Sequence, residues 1–319
     1  MSNRWRVWIT AALGLGLLVA LIAAAPDEAD LLSALRATDP RWLGAAIVAY
    51  ALSYGMRALR FRLLLHSVTP SIGALFRVVS VHNLFNMLMP VRTGELSYVY
   101  LVKKRFGAPR SEGAATLLLA RLFDVFGIAA FFLAAFFATR SSGDDDTSNL
   151  VTGAVALLAL SAAALFGVVP AARFAVSILA RVRAPLLVRA HEVARSILAH
   201  LESIRARRRG PAVFLVTELQ WLMTFLTCWC LLRAAGVELD FGPSVLGSTG
   251  LSIALILPLN SFGNVGTFEA GWVLGYSLVG LSHADAMATA ISAHVWIFAL
   301  AVGFGLLGWF GSKKESTAP

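Results

Sequence analysis

Long apolar runs alternate along the chain with short clusters of charge. Runs of spanning length cover Val7–Ala25, Trp42–Leu65, Ala114–Thr139, Leu150–Pro170, Ala212–Ala235 and Ala286–Phe310. Each is near the ~20 residues a helix needs to cross a hydrocarbon core, and they do not read as the alternating tens of a membrane β-barrel. Two further apolar stretches, Ser71–Val102 and Gly242–Ser282, are interrupted in the middle by "PVRTG" at 90–94 and "PLNSFGNVG" at 258–266. Proline blocks helix continuation and glycine tolerates tight turns. Pro90, Gly94, Pro258, Gly263 and Gly266 are therefore the expected helix breaks. The pattern predicts an all-α polytopic membrane protein.

Charge orients these elements. Residues 26–40 hold Asp27, Glu28, Asp30 and Asp39 against Arg36; residues 140–149 hold Asp144, Asp145 and Asp146 against Arg140; residues 236–243 hold Glu238 and Asp240. The opposite side collects Arg4, Arg6, Arg60, Arg62, Lys103, Lys104, Arg105, Arg110, the segment 171–210, Lys313 and Lys314. Cytoplasmic loops accumulate Lys and Arg, so the second set is expected inside, with both termini. Ser71–Val102 then begins and ends inside, and Gly242–Ser282 begins and ends outside. Each must turn within the membrane as a re-entrant hairpin, which is tolerated only where protein or a watery cavity surrounds the irregular backbone. The expectation is six full spans plus two re-entrant hairpins. The first run carries Arg4 and Arg6 before it and "AAAPDEA" after it, as a cleaved leader would, but its core is long for one. It is read as a retained anchor.

Composition agrees with a membrane chain. Of 319 residues 58% are hydrophobic and 14% charged, against about 25% charged in a soluble domain. Mean hydropathy is +0.75. The formal charge of +9 would suggest nucleic acid in a soluble protein; here the positive-inside rule accounts for it, and no nucleic-acid partner is expected. Cys228 and Cys230 are too few for a disulfide framework or a metal site. They are expected to pack, and no metal or cofactor is expected. No G-x-x-x-x-G-K-[ST] loop occurs, so ATP hydrolysis by this chain is not expected.

The halves repeat. "GAPRSEGAATLLLAR" (107–121) and "GLSHADAMATAISAH" (280–294) align at a constant offset of 173 positions, superposing Gly, Ala-Thr and Ala, Glu112 on Asp285, and Arg121 on His294. Pro90, Gly94 and Glu95 parallel Pro258, Gly266 and Glu269. Residues 1–140 (hairpin 71–102) and 141–310 (hairpin 242–282) form two halves that start from opposite faces, with a tail at 311–319. Such an inverted repeat, with broken segments in corresponding positions, points to a transporter binding site between them.

"NLFNMLMPVRTGELSYVYLVKK", "LLLARLFDV" and "LPLNSFGNVGTFEAGW" resemble the membrane region of lysylphosphatidylglycerol synthases and their stand-alone, flippase-like relatives. The family pattern is similar to N…P…R-x-G-E, E-R-x-x-D and P-x…G-x-G-x-x-E. The resemblance covers nearly the whole chain and implies a lipid-translocating domain, for a charged or polyprenyl-linked lipid, in a plasma membrane such as a bacterial inner membrane. Two departures stand out: Ala120 replaces the glutamate that often precedes the arginine matched by Arg121, and the second turn is less glycine-rich. A soluble aminoacyl-transferase domain does not appear within these residues, so synthase activity is not carried over.

The candidate substrate-binding residues are Arg92, Glu95, Arg121, Glu269, His294 and Asn264. Arg92 and Glu95 are three apart and share a helix face. They read either as an internal pair that locks the hairpin, or as a phosphate ligand and a cation or proton site; intramembrane ionisable groups are functional candidates by default. Arg121 and Asp124 repeat that spacing, and Arg121 is placed to face Glu95. Glu269 has His294 as its expected partner. Asn260 and Asn264 read as helix caps or headgroup contacts, the former expected. Glu218 reads as facing the cytoplasmic interface rather than as a proton site. Segment 171–210 has nine arginines and two glutamates among apolar residues. It predicts one or two amphipathic helices on the cytoplasmic surface, broken near Pro185, attracting anionic lipid.

Three functions remain open at this level: a flippase or transporter for an anionic, amino-acyl or polyprenyl-linked lipid; a non-transporting partner of a lipid-synthesising or lipid-modifying enzyme; and an intramembrane hydrolase using Ser252 and His294, for which no oxyanion hole is apparent.

Overall fold

The computed structural model describes residues 38–139, 148–180, 185–256 and 261–310. The expectations placed on Val7–Ala25, on the acidic residues 144–146, on Pro258 and Asn260 and on the tail lie outside them. Among the described residues the chain is helical, with no strand.

Helix α1 (Pro40–Leu64) starts at Asp39, whose side chain accepts from the Arg41 backbone N–H at 2.8 Å, with Pro40 at the first helical position. Both are favoured helix starts. At 25 residues it is roughly 37 Å long, enough to cross a bilayer, although it carries Arg57, Arg60 and Arg62. Among the described residues four helices are both long and apolar enough to span: α4 (Arg110–Thr139), residues Val155–Leu179 of α5 (Ser148–Leu179), α7 (Gly210–Ala234) and α10 (His283–Phe310). The α5 helix passes through Pro170 instead of ending there. Proline forfeits one backbone bond, and the apolar turns on both sides keep the helix going. Its Phe166 and Phe174 are left largely exposed, as lipid-facing side chains are. Helix α6 (Pro185–Ala206) follows and packs its buried Leu201 and Ile204 into the bundle. The first nine residues of the basic segment 171–210 thus extend a spanning helix, and α6 is its separate amphipathic part.

The remaining helices form two hairpins. Helix α2 (Ile72–Leu88) stops at Met89, a 3-10 turn occupies Pro90–Glu95, and α3 (Leu96–Phe106) runs back along α2. His82 Nδ1 lies 3.1 Å from Ser97 Oγ, and its ring meets Tyr98 edge-on. Gly94 is required here: a Cβ on it would sit 2.4 Å from the Asn86 Cα. In the second hairpin α8 (Phe241–Ile256) leads to a 3-10 turn at Phe262–Asn264 and α9 (Thr267–Ser277). Gly263 and Gly266 hold positive φ in that turn. The two helices meet along glycine: a Cβ on Gly275 would lie 1.9 Å from the Gly247 carbonyl oxygen, and one on Gly250 would lie 2.8 Å from that of Gly271. Small residues let helix backbones approach this closely in membranes. At 17 and 16 residues, α2 and α8 reach only about 25 Å, short of a ~30 Å hydrocarbon core.

Core packing places these pieces. Helix α1 lies along α7, where Trp42 meets Trp229 edge-on at 5.1 Å. Helix α10 packs against α2, its Gly305 closing onto Leu84. The two hairpin tips meet between these pairs.

Candidate functional site

Arg92 joins the two tips. Arg92 sits at φ 55°, a conformation that costs a non-glycine residue about 1 kcal/mol or more and is kept only when its surroundings enforce it. Its Nε donates to Glu95 Oε1 at 2.7 Å, and its Nη1 donates to the carbonyls of Leu255 and Ile256, each at 2.7 Å. Those carbonyls are the last of α8. A cation at a helix C-terminus is also favoured by the macrodipole. Arg92 therefore caps the opposite hairpin while pairing with its own.

From Glu95 an alternating ladder of charge runs into the bundle. Glu95 Oε1 lies 3.0 Å from Arg121 Nε; Arg121 Nη1 donates to Asp124 Oδ2 at 3.1 Å; Asp124 Oδ1 accepts from Arg60 Nη1 at 2.6 Å and from Trp221 Nε1 at 3.2 Å. Arg60 and Asp124 are each 2% exposed. Arg60 is thus an interior residue and not a cytoplasmic flank as its position near the end of an apolar run suggested. Burying a charge is tolerated only when it is paired and hydrogen-bonded.

A fourth arginine, Arg57, lies one turn before Arg60 on the same face of α1. It donates to Asn83 Oδ1 at 3.0 Å. Its Nε, Asn83 Nδ2, Asn86 Oδ1 and Asn264 Oδ1 are buried without a hydrogen-bond partner. All four residues line one cavity of about 210 Å³ between the hairpin tips, α1, α4, α7 and α10. Arg92, Arg121 and Asp124 line it too. Buried polar groups are nearly always satisfied, so four orphans around one cavity make it a candidate polar ligand site. Four guanidiniums face two ladder carboxylates. Glu218 stands nearby against Gly127, half-buried, with its Oε1 buried and unpartnered. Even with Glu218 ionised, the positive charges outnumber the negative by one.

Of the expected binding residues, Arg92, Arg121 and Asn264 reach the cavity, and Glu95 stands behind the first two. Asn264 is no helix cap: it holds φ 59° and points an unbonded oxygen into the site. Glu269 and His294 meet each other, Oε1 to Nδ1, at 2.5 Å. Glu269 Oε2 accepts from the Gly266 N–H at 2.6 Å, and His294 Nε2 lies 2.9 Å from the Gly263 carbonyl. Phe268 stacks on His294 at 4.3 Å and faces the cavity in its place. The pair bolts the second turn to α10 from behind the cavity wall. Ser252 and His294 do not meet: the Ser252 hydroxyl donates to the Ser248 carbonyl at 2.9 Å, and both His294 nitrogens have other neighbours. Cys228 and Cys230 are free and buried.

Arg57, Asn83 and Trp221 are not singled out by the sequence, which offers Arg60 only as a cytoplasmic flank. Arg57, well inside a spanning run, carried a readable signal; Asn83 and Trp221 carried none.

Helices of spanning length, two broken-helix hairpins and a cationic cavity at their meeting point define a helical membrane protein with an internal polar site. The chain belongs to the lysylphosphatidylglycerol synthase transmembrane-region family, whose model matches residues 7–305. It is 27% identical over 324 residues to the glycosyltransferase AglD of Haloferax volcanii, an alignment covering 91% of this chain and 52% of that protein. The chain therefore spans about half the length of this curated relative. No solved structure matches.

Proposed function

We propose that this protein moves an anionic lipid, amino-acylated or polyprenyl-linked, between membrane leaflets without ATP. The supporting observation is the cavity, in which cationic excess and unpartnered donors on Arg57 and Asn83 meet where two hairpin tips converge. A phosphate group offers the acceptors those donors lack, and charge-assisted bonds to guanidinium are the strong class. In this reading six spans and two re-entrant hairpins form an inverted repeat with cytoplasmic termini in the plasma membrane. Arg57 and Arg121 take the phosphate, and Arg92 latches the tips. A headgroup that competes for Arg92 or Glu95 loosens the latch and lets the halves rock. Movement is downhill or coupled to an ion. Helix α6 draws anionic lipid to the cytoplasmic surface.

The test is translocation of labelled anionic lipids by the purified chain in proteoliposomes. Arg57→Ala and Arg121→Ala are expected to lower the rate about tenfold or more, as the loss of one charge-assisted bond of ~1.5–3 kcal/mol implies. Ser252→Ala is expected to leave it unchanged. Full transport by folded Arg57→Ala and Arg121→Ala proteins sinks the assignment.

One observation favours a second reading. The relative named a glycosyltransferase is nearly twice the length that aligns here; on the second reading this chain is the membrane part of an enzyme assembly. Stable copurification with a lipid-modifying enzyme, together with no transport by the isolated chain, would select it.

A further inference from the structure

A second polar cluster lies away from the cavity, where α1 ends. The chain turns there through His66 and Ser67, the first turn of α4 supplies Glu112, and α6 lays His200 across the corner. Glu112 is fully buried, and its Oε1 accepts from the backbone N–H groups of His66 at 2.6 Å and Ser67 at 3.0 Å. The Ser67 hydroxyl donates to its other oxygen. The same Oε1 lies 2.9 Å from His66 Nδ1. On the far side of that ring, His66 Nε2 lies 3.1 Å from His200 Nδ1. The three side chains bring donor atoms within 4.8 Å of one another.

Two imidazole nitrogens bound to one tetrahedral zinc ion at ~2.0–2.1 Å stand about 3.4 Å apart. The observed separation falls short of this by a few tenths of an ångström, which a small swing of the half-buried His200 supplies. The outer nitrogen, His66 Nδ1, makes no hydrogen bond, and Glu112 lies within ion-pair distance of it, placed to act as the carboxylate that orients a metal-bound histidine once the ring turns. Its own negative charge, sealed from water and saturated by the turn, favours a cation on the ring beyond it.

We propose that His66 Nε2 and His200 Nδ1 bind a borderline divalent transition-metal ion of the zinc class, with Glu112 as the positioning residue and water in the remaining places. The ion staples α6 to the α1–α2 corner and to the start of α4. It thereby fixes the basic helix onto the bundle, and two protein ligands make the site exchangeable rather than permanently filled. The inference stands apart from lipid translocation.

The test uses the tag-free full chain in detergent, with Co2+ as a spectroscopic probe and Zn2+ as competitor. The wild-type chain is expected to show Co2+ ligand-field bands that Zn2+ abolishes, and a thermal midpoint that Zn2+ raises and chelator restores. His200→Gln is expected to lose about tenfold or more in Zn2+ affinity, while keeping the wild-type midpoint in chelator. Glu112→Gln weakens binding by about ten- to a hundredfold, as outer-sphere carboxylates do. Absence of Co2+ bands in the wild-type chain, or an unchanged Zn2+ affinity in folded His200→Gln protein, overturns the proposal. The His66–His200 contact is then only a hydrogen bond between rings.

Discussion

Asp124 is the residue on which the ladder turns, because Arg60, Arg121 and Trp221 all donate to it. Asp124→Asn keeps the shape and removes the charge, leaving the Arg60 guanidinium buried without a counter-ion. Breaking a buried pair in this way costs about 3–5 kcal/mol. The expected outcome is a large drop in the unfolding midpoint of the purified protein. Arg121→Gln removes a side chain that is 27% exposed, where solvent screens the pair, so its cost is expected to be ~1 kcal/mol or less. If both variants unfold alike, Arg60 does not depend on Asp124. Spacing made half of this ladder legible: residues three apart on a helix face each other, and Arg92 with Glu95 and Arg121 with Asp124 obey that rule. It could not reach Arg60. A charge near the end of an apolar run reads equally well as a flank, and only the packing of α1 against α4 turns it inward.

The hairpin breaks were legible for a similar local reason, since proline and glycine act on their own backbone. Pro90 opens the first turn, and Gly263 and Gly266 take positive φ in the second. What the local signal does not show is why α8 is so rich in glycine. The answer lies across the hairpin, where Gly247 and Gly250 meet Gly271 and Gly275. Gly275→Ala is expected to destabilise the hairpin by about 1–3 kcal/mol, the usual cost of overpacking, because its Cβ would press on backbone that cannot swing aside. Gly303→Ala is the control: a Cβ there meets nothing within 4 Å, and alanine is the better helix former. Thermal unfolding of the two variants checks this, and equal midpoints would refute the seam. Pro170 shows the limit of such reading in the other direction. The apolar run Leu150–Pro170 stops at this residue, yet α5 continues to Leu179 because one missing backbone bond does not outweigh two apolar flanking turns.

At the scale of the molecule, the contact that joins the two tips links positions 163 and 164 residues apart. Periodicity carries no trace of such a pairing, since a carbonyl acceptor belongs to every residue. Charge asymmetry does make a claim at this scale, because it assigns each loop a side. Helix α6 and the turn after α7 are expected on opposite faces, and the chain offers a clean way to test that. Its two cysteines are 3% and 5% exposed, so a membrane-impermeant maleimide should leave the native protein unlabelled. Val193→Cys replaces a side chain that is 57% exposed on α6, and Ala235→Cys lies in the exposed turn before α8. In intact cells Ala235→Cys is expected to label and Val193→Cys to stay silent until the membrane is opened. The reverse pattern would invert the protein in the membrane. Labelling of both in intact cells would mean that the basic helix is not held on the inner face, and the assignment of sides by charge would fall with it.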